Sequence, residues 1–143
     1  METLNSFLKR LETFADNHKQ INKFGFGLES DISAEEEAYT LLWVDVDSVD
    51  YYENYKTMYF TMLIVDIQRD NQSNVKDTLN DNELITSDLV KYLMSSNFND
   101  FELNITNSAT KVREVLPDVL NGWRLNCSIN IITDNNLCDI PFN

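Results

Sequence analysis

The sequence predicts an α+β fold, in which two helices pack on a mainly antiparallel β-sheet within a single domain spanning residues 1–143. Two segments place apolar residues at the helical period, and several others alternate apolar and polar residues as strands do. The regular alternation of strand and helix that accompanies a parallel sheet is not seen. The length of 143 residues and the hydrophobic content of 43% suit one self-sufficient core.

Two segments are predicted to be helices. Residues 2–20 carry one apolar stripe, and Thr3 is placed to cap the start of the helix. The stripe consists of Leu4, Phe7, Leu8, Leu11 and Phe14. Residues 74–96 carry a weaker stripe, and the polar residues at 80–83 leave open whether this segment forms one long helix or two.

The first two long strands are predicted to pair as an antiparallel hairpin. Residues 39–46 are rich in β-branched and aromatic types, which favour strands. Residues 55–68 carry large apolar residues on both faces in their middle, which indicates a central strand covered on both sides. The polar residues from Asp47 to Asn54 separate the two strands.

Three further segments carry strand patterns. Residues 97–105 alternate as a half-buried strand, residues 110–116 suggest a short strand ended by Pro117, and residues 123–131 show the clearest alternation in the chain. Asn121-Gly122 is a typical turn dipeptide and is expected to precede the last strand.

The remaining segments are predicted to be loops. Residues 29–38 form an acidic loop and residues 134–143 an irregular tail, and long arms of this kind often become ordered only against a neighbour. The stretch from Phe24 to Gly27 alternates aromatic residues with glycines. It predicts a tight turn into a short extended stretch, with Phe24 and Phe26 packed into the core.

The charge of the chain excludes several functions. There are 11 basic and 24 acidic residues, a formal net charge of −13, and no basic cluster for tracking phosphates or anionic lipids. No apolar run approaches the roughly 18 residues that a membrane span needs, and the first ten residues do not look like a secretory signal, so a cytoplasmic protein is expected. A strongly acidic surface suits solubility, or a passage through which DNA slides without sticking.

The most tempting catalytic motif is Asp45-Val46-Asp47. Phosphatases of the haloacid dehalogenase type have a similar pair of carboxylates at the end of a strand, beside Mg²⁺. These phosphatases also need a lysine and further carboxylates on parallel strands, and the sequence predicts no parallel strands that could supply them. A calcium loop fails as well, because Asp50 and Lys56 stand where glycine and glutamate are required. We therefore expect these aspartates to lie on a solvated hairpin connection.

The remaining chemistry-bearing residues do not form a recognisable site. His18 is the only histidine, and a place at the end of the first helix suits it through the helix dipole. Cys127 and Cys138 supply too few ligands for a zinc site and are expected to be free thiols, although spacing does not decide whether they meet. The sequence predicts no catalytic residue, no metal site and no cofactor.

Aromatic residues concentrate around the predicted hairpin and suggest a surface for assembly. Aromatic side chains are enriched in interface hot spots because they bury a large area at low entropic cost. The candidate interface residues are Tyr39, Trp43, Tyr51, Tyr52 and Tyr55, with Tyr59 close by. The alternative is that about half of these side chains fill the core.

Several short motifs carry a resemblance to a known family. They are the run from Asn17 to Gly27, Leu41-Leu42-Trp43-Val44, the strand from Met58 to Asp66, Gly122-Trp123, and Cys138-Asp139-Ile140-Pro141. Together they resemble small virion proteins of Bacteroides-type phages, including crAss-like ones. Those proteins are in turn similar to the tail-terminator and head–tail joining proteins of tailed bacteriophages.

The resemblance implies a structural role without catalysis. It implies a homo-oligomeric ring, of six or twelve copies, at the neck of the virion, with DNA passing through a central channel and with connector and tail proteins as neighbours. The protein would then be found in the virion and, during assembly, in the host cytoplasm. Two alternatives stay open: an acidic DNA mimic that inhibits a host nucleic-acid enzyme, and a metal-dependent phosphohydrolase using Asp45 and Asp47.

Overall fold

A computed structural model describes residues 3–28, 31–32, 39–67, 75–95, 98, 101–115, 119–133 and 140–141. The helices are α1 (Leu4–Asn17) and α2 (Val75–Leu93). The strands are β1 (Lys23–Phe26), β2 (Leu41–Tyr51), β3 (Tyr55–Ile67), β4 (Leu103–Val115) and β5 (Val119–Ile132). Most of the acidic loop 29–38 and of the tail 134–143 lies outside the described residues.

The strands form one sheet in the order β1-β2-β3-β5-β4. All neighbouring pairs are antiparallel except β1 and β2, which run parallel over four residues. The predicted class is therefore confirmed: two helices accompany a mainly antiparallel sheet. The predicted hairpin is also confirmed, and its second strand, β3, is the middle strand of the sheet.

The main core lies between the two helices and one face of the sheet. Phe7 and Leu11 of α1 and Leu89 of α2 are completely buried there, together with alternate residues of β3. The ring of Phe7 lies 4.7 Å from that of Phe60 and 5.4 Å from that of Phe101, measured between centroids. Each such side chain contributes about 1.5–3 kcal/mol on burial, so this layer is the main source of stability.

Polar contacts start α1 and anchor the middle of α2. The Thr3 side chain accepts a hydrogen bond from the Ser6 amide at 3.2 Å, and the Ser6 hydroxyl accepts one from the Thr3 amide at 2.8 Å. This reciprocal cap starts α1 at Leu4. In α2, Asn82 is 1% exposed and its amide donates to the Asn121 carbonyl at 3.3 Å. Because this polar residue faces the sheet, α2 continues unbroken through residues 80–83.

A second, smaller core covers one end of the opposite face of the sheet. It contains Ile32, Leu41, Trp43, Leu63, Val65, Val112 and Leu120. The Trp43 ring lies against Gly25, where an added Cβ would come within 2.2 Å of the ring. Its indole N–H donates to the Gly27 carbonyl at 2.9 Å. The second half of β3 is thus covered on both sides, as predicted, whereas among the described residues its first half has no such second layer over Thr57 and Tyr59.

The aspartates expected on the hairpin connection instead belong to β2. That strand continues to Tyr51, and the turn takes residues 52–54, closed by a bond from the Tyr52 amide to the Tyr55 carbonyl at 2.9 Å. Asp45 pairs with Thr61, and Asp50 pairs with Thr57. The register shifts between Val46 and Ser48, at a bulge that includes Asp47. The strand continues because a sheet face open to solvent accepts polar side chains.

Two further predictions about the strands were wrong. Asn121 and Gly122 lie inside β5, where a Cβ on Gly122 would come within 1.9 Å of the Ile64 carbonyl oxygen. This glycine therefore serves close packing and not a turn. The strands predicted at 97–105 and 110–116 form one strand, β4, with a register shift between Ile105 and Ala109.

The short extended stretch predicted here is confirmed, whereas the tight turn from Phe24 to Gly27 is corrected. Residues 23–26 form the edge strand β1. Phe24 packs partly buried against the main core, whereas Phe26 is exposed. Gly27 follows the strand with a φ of +140°, a conformation that glycine adopts without strain.

Candidate functional site

The candidate site lies on the part of the sheet face that neither the helices nor the second core covers. We call it the open face. It consists of Asp45, Asp47 and Asp50 of β2, Thr57, Tyr59 and Thr61 of β3, and Asn126, Ser128 and Asn130 of β5. The residues that alternate with them, such as Phe60 and Ile129, enter the main core. Strict alternation thus gives these strands one apolar and one polar face.

Two threonines of β3 hold the open face together. The Thr57 hydroxyl lies 2.7 Å from the amide oxygen of Asn130 on β5. The Thr61 hydroxyl lies 2.7 Å from a carboxylate oxygen of Asp47 and 3.1 Å from the amide oxygen of Asn126. Both threonines are largely buried beneath their neighbours. These cross-strand contacts fix the positions of the polar groups around them.

Tyr59 and Asp50 form a second polar contact on the open face. The hydrogen bond to Asp50, followed by smaller effects of burial and of the Asp50 charge, raises the pKa of Tyr59 above its ordinary value. The phenol therefore stays protonated and donates to the carboxylate. The Tyr59 side chain thus lies beside Asp50, with 36% of the residue exposed.

Aromatic side chains project at the β2–β3 turn, next to the open face. We call this group the tyrosine tip, and it consists of Tyr51, Tyr52, Tyr55 and Ile132, which are 78%, 50%, 39% and 70% exposed. The rings of Tyr52 and Tyr55 stack, with centroids 4.6 Å apart and an interplanar angle of 18°. Exposed apolar groups at a single place are typical of contact surfaces.

The structure divides the five aromatic residues that the sequence suggested for an interface. Tyr51, Tyr52 and Tyr55 lie at the surface, in the tyrosine tip. Trp43 is 6% exposed in the second core, and Tyr39 packs partly buried against that core. Because Trp43 and Tyr39 serve the packing of their own chain, they are left out of the interface proposed below.

A groove lies between α2 and the edge strand β4, on the helix side of the sheet. This α2–β4 groove has a volume of about 600 Å³, and its apolar lining includes Val90, Met94, Leu103 and Ile105. Lys91 and Glu83 also line it, and Met94 is 75% exposed. Sequence patterns missed this groove because they show which residues are apolar but not how far a helix stands from an edge strand.

A second, smaller groove crosses the open face. We call it the sheet groove; it has a volume of about 380 Å³. Polar residues that line it include Asp47, Tyr59, Asn104, Asn126 and Ser128. The regular spacing of polar residues on β5 was the only sequence signal for it.

The structure does not bring the predicted chemistry-bearing residues together. His18 caps the C-terminal end of α1, and its Nε2 atom lies 3.0 Å from an oxygen of Asp88 on α2. Cys127 is buried, and burial together with the charge of Asp47 raises its pKa to about 12, so the thiol is protonated. Cys138 lies outside the described residues. Among the residues that the structure describes, no group of three or more His, Cys, Asp or Glu side chains is placed to hold a metal ion.

Comparisons with protein-family models and with curated proteins give no match for this chain. Within the described residues, neither helix is long and apolar enough to cross a bilayer. Function is therefore inferred from the surfaces of the molecule.

Proposed function

We propose that this protein is a structural component of a tailed-phage virion, which forms a homo-oligomeric ring at the head–tail junction around a channel for DNA. The proposal is supported by one observation above all: the chain carries a protruding tyrosine tip and, at a separate place, an open apolar groove. Such a protein acts through contacts between copies and needs neither a cofactor nor a covalent reaction.

The positions of the two surfaces favour a ring over a two-fold dimer. The tyrosine tip belongs mainly to the β2–β3 turn, whereas the α2–β4 groove lies beside β4, which β5 separates from β3. A contact between two different surfaces is head-to-tail, and repeating it either closes a ring or extends a filament. A two-fold dimer would instead use one surface twice.

The chemistry of the two surfaces is complementary. The tip offers stacked tyrosines, and the groove offers aliphatic side chains such as Val90 and Ile105. Glu53 lies exposed in the turn at the tip, and Lys91 lines the groove, so docking would also bring opposite charges together. Aromatic anchors that enter an apolar groove carry most of the binding energy in many interfaces.

The net charge of −13 supports the proposed channel. Carboxylates on a channel wall repel the phosphates of DNA, which keeps the DNA mobile as it passes. Connector and tail proteins of the same virion would contact the two sides of the ring. The resemblance in sequence leads us to expect six or twelve copies.

Two measurements test the proposed function. Mass spectrometry of purified phage particles should detect the chain, and negative-stain images of the purified protein or of the virion neck should show a ring. If the chain is present in particles but forms no ring in solution, the ring assembles only in contact with a neighbouring virion protein. The image of the neck would then show the ring. Absence from particles would reject the proposal, and salt-sensitive binding to a basic host enzyme would then favour the DNA-mimic alternative.

A further inference from the structure

Two hydroxyl groups at the sheet groove each lie close to two oxygen atoms. The Thr61 hydroxyl carries one hydrogen, yet it lies within 3.1 Å of oxygens of both Asp47 and Asn126. The Thr106 hydroxyl lies 3.0 Å from the Asn126 carbonyl oxygen and 3.1 Å from that of Ser108. An ionised carboxylate has two oxygens and only accepts. The Asp47 carboxylate that lines the groove is therefore suited to a ligand that supplies donors.

The charge of the groove selects a cation. Asp47 lines the groove, and neither lysine nor arginine is among its lining residues. In the part of the chain that the structure describes, no basic group lies within ion-pair distance of Asp47 or Asp50. An anionic ligand would be repelled by these carboxylates. The site thus favours a positively charged group that is rich in donors.

The aromatic wall of the groove distinguishes between cations. Tyr59 lines the groove and supplies its tyrosine ring. A guanidinium is planar, carries five donors and no acceptor, and stacks on aromatic rings, whereas an ammonium is a compact ion with three donors. We propose that the sheet groove binds arginine side chains from a basic segment of a neighbouring protein.

The occupant is a different protein and not a second copy of this chain. The chain has 11 basic residues against 24 acidic ones and no basic cluster, so a second copy offers no basic segment for this groove. The inference goes beyond the ring and does not depend on it. If the ring forms, the open face meets a neighbouring virion protein instead of lining the channel.

The test uses the full-length protein, labelled with ¹⁵N, and three blocked peptides. The probes are Gly-Arg-Gly-Arg-Gly, the same peptide with lysine, and the same peptide with citrulline, which has the shape of arginine without its charge. The arginine peptide should shift the side-chain amide signals of Asn104 and Asn126 and bind several-fold more tightly than the lysine peptide, as expected for a stacked, multi-donor contact. The citrulline peptide should produce no such shifts. Binding by citrulline equal to that by arginine, or shifts that spread evenly over the acidic surface, would overturn the proposal.

A matched pair of variants separates a specific site from general attraction. Asp47→Asn should weaken binding of the arginine peptide by about tenfold, the usual scale for a charge-assisted hydrogen bond. Asp77→Asn makes the same change of charge on the exposed first turn of α2 and should weaken binding less than about twofold, as screened surface charges do. Equal weakening by the two variants would contradict the proposal.

A second pair of variants tests the aromatic wall. Tyr59→Phe keeps the ring and should retain most of the binding, whereas Tyr59→Leu removes the stacking partner and should lose several-fold. Light scattering on the same proteins measures assembly separately. An oligomer that does not bind the peptide would contradict the arginine site but not the ring. A chain that binds the peptide but never assembles would contradict the ring but not the arginine site.

Discussion

The two ends of the sheet face that lies away from the helices differ in chemistry, although the same strands build both. At one end, Leu41, Trp43 and Val65 are buried in the second core. At the other, β2 and β3 present Asp47, Asp50 and Tyr59, and the face stays open. Apolar residues on both faces of a strand require cover, whereas alternation leaves one face available for contacts. The covered end gives stability, and we propose that the open end, with its tyrosine tip, gives recognition.

The largest expected effect is a loss of folding stability when the covered end is disrupted. Trp43→Ala removes the largest side chain of the second core together with its bond to Gly27, and should reduce the free energy of unfolding by about 3–5 kcal/mol. Tyr52→Ala at the tip removes an aromatic ring that is half exposed and should cost about 0.5 kcal/mol or less. Urea denaturation of both variants measures the difference. Similar losses in the two variants would show that the ends do not differ as described.

The next effect concerns the tip. Replacing Tyr51, Tyr52 and Tyr55 by serine should abolish self-assembly, because truncating a hot-spot aromatic costs about 2 kcal/mol or more of association free energy. The fold should be retained, since these side chains lie outside both cores. Light scattering at a series of concentrations measures the assembly, and circular dichroism checks the fold. A triple variant that assembles like the parent protein would remove the tip from the proposed interface.

A smaller loss of stability is expected from a substitution where β5 pairs closely with β3. Gly122→Ala places a methyl group against the Ile64 carbonyl, and the strands must move apart at a cost of about 1–3 kcal/mol. Ser128→Ala, on the open part of the same strand, is the control and should change stability by about 0.5 kcal/mol or less. Thermal unfolding compares the two. A Gly122→Ala variant as stable as the parent would mean that the close approach of the strands is relaxed in solution.

The last effect is a pH dependence, which is small for each unit of pH. The pKa of Cys127 is raised from 9.0 to about 12 because the thiol is buried in the main core beside the Asp47 charge. The folded protein therefore keeps a proton that the unfolded chain loses above pH 9, and the stability that this thiol contributes is complete below pH 9 and declines as pH rises towards 12. The slope attributable to this thiol is about 1 kcal/mol per pH unit.

The Cys127→Ala variant isolates that slope from the titration of tyrosines and lysines. Its free energy of unfolding, measured by urea denaturation at several pH values, should fall less steeply between pH 9 and 12 than that of the parent protein. Identical slopes in the two proteins would show that the thiol is not held protonated by the fold. Because burial is the main cause of the raised pKa, the result also reports how well the main core excludes water from beneath the open face.

Periodicity predicted the layers of the fold, because it reflects which side of an element is buried. The stripe from Leu4 to Phe14 gave α1, and the apolar middle of residues 55–68 identified β3 as the central strand. Local turn signals were less reliable. Asn121-Gly122 is a typical turn dipeptide, yet the glycine is needed for close packing between β3 and β5, a requirement that local sequence does not show.

The site was harder to predict than the fold. The sequence alone does not show which aromatic residues of the hairpin are buried. Only the tertiary fold separates Trp43 in the core from Tyr51 at the surface. The two grooves depend on distances between elements that are far apart in the chain. Contacts of this kind are set by packing geometry, which composition and periodicity do not encode.

The most direct test of the assembly is disulfide crosslinking between two chains that each carry one introduced cysteine. Both chains also carry Cys138→Ser, so that the only native thiol left is Cys127, which is buried. One chain carries Glu53→Cys at the turn beside the tip and the other carries Lys91→Cys in the α2–β4 groove. We expect a crosslink when the two are mixed, and much less when either chain is alone or when Asp77→Cys replaces Lys91→Cys. Crosslinking that is equally efficient in the Asp77→Cys mixture, or absent at every concentration and in purified virions, would contradict a head-to-tail assembly through these surfaces.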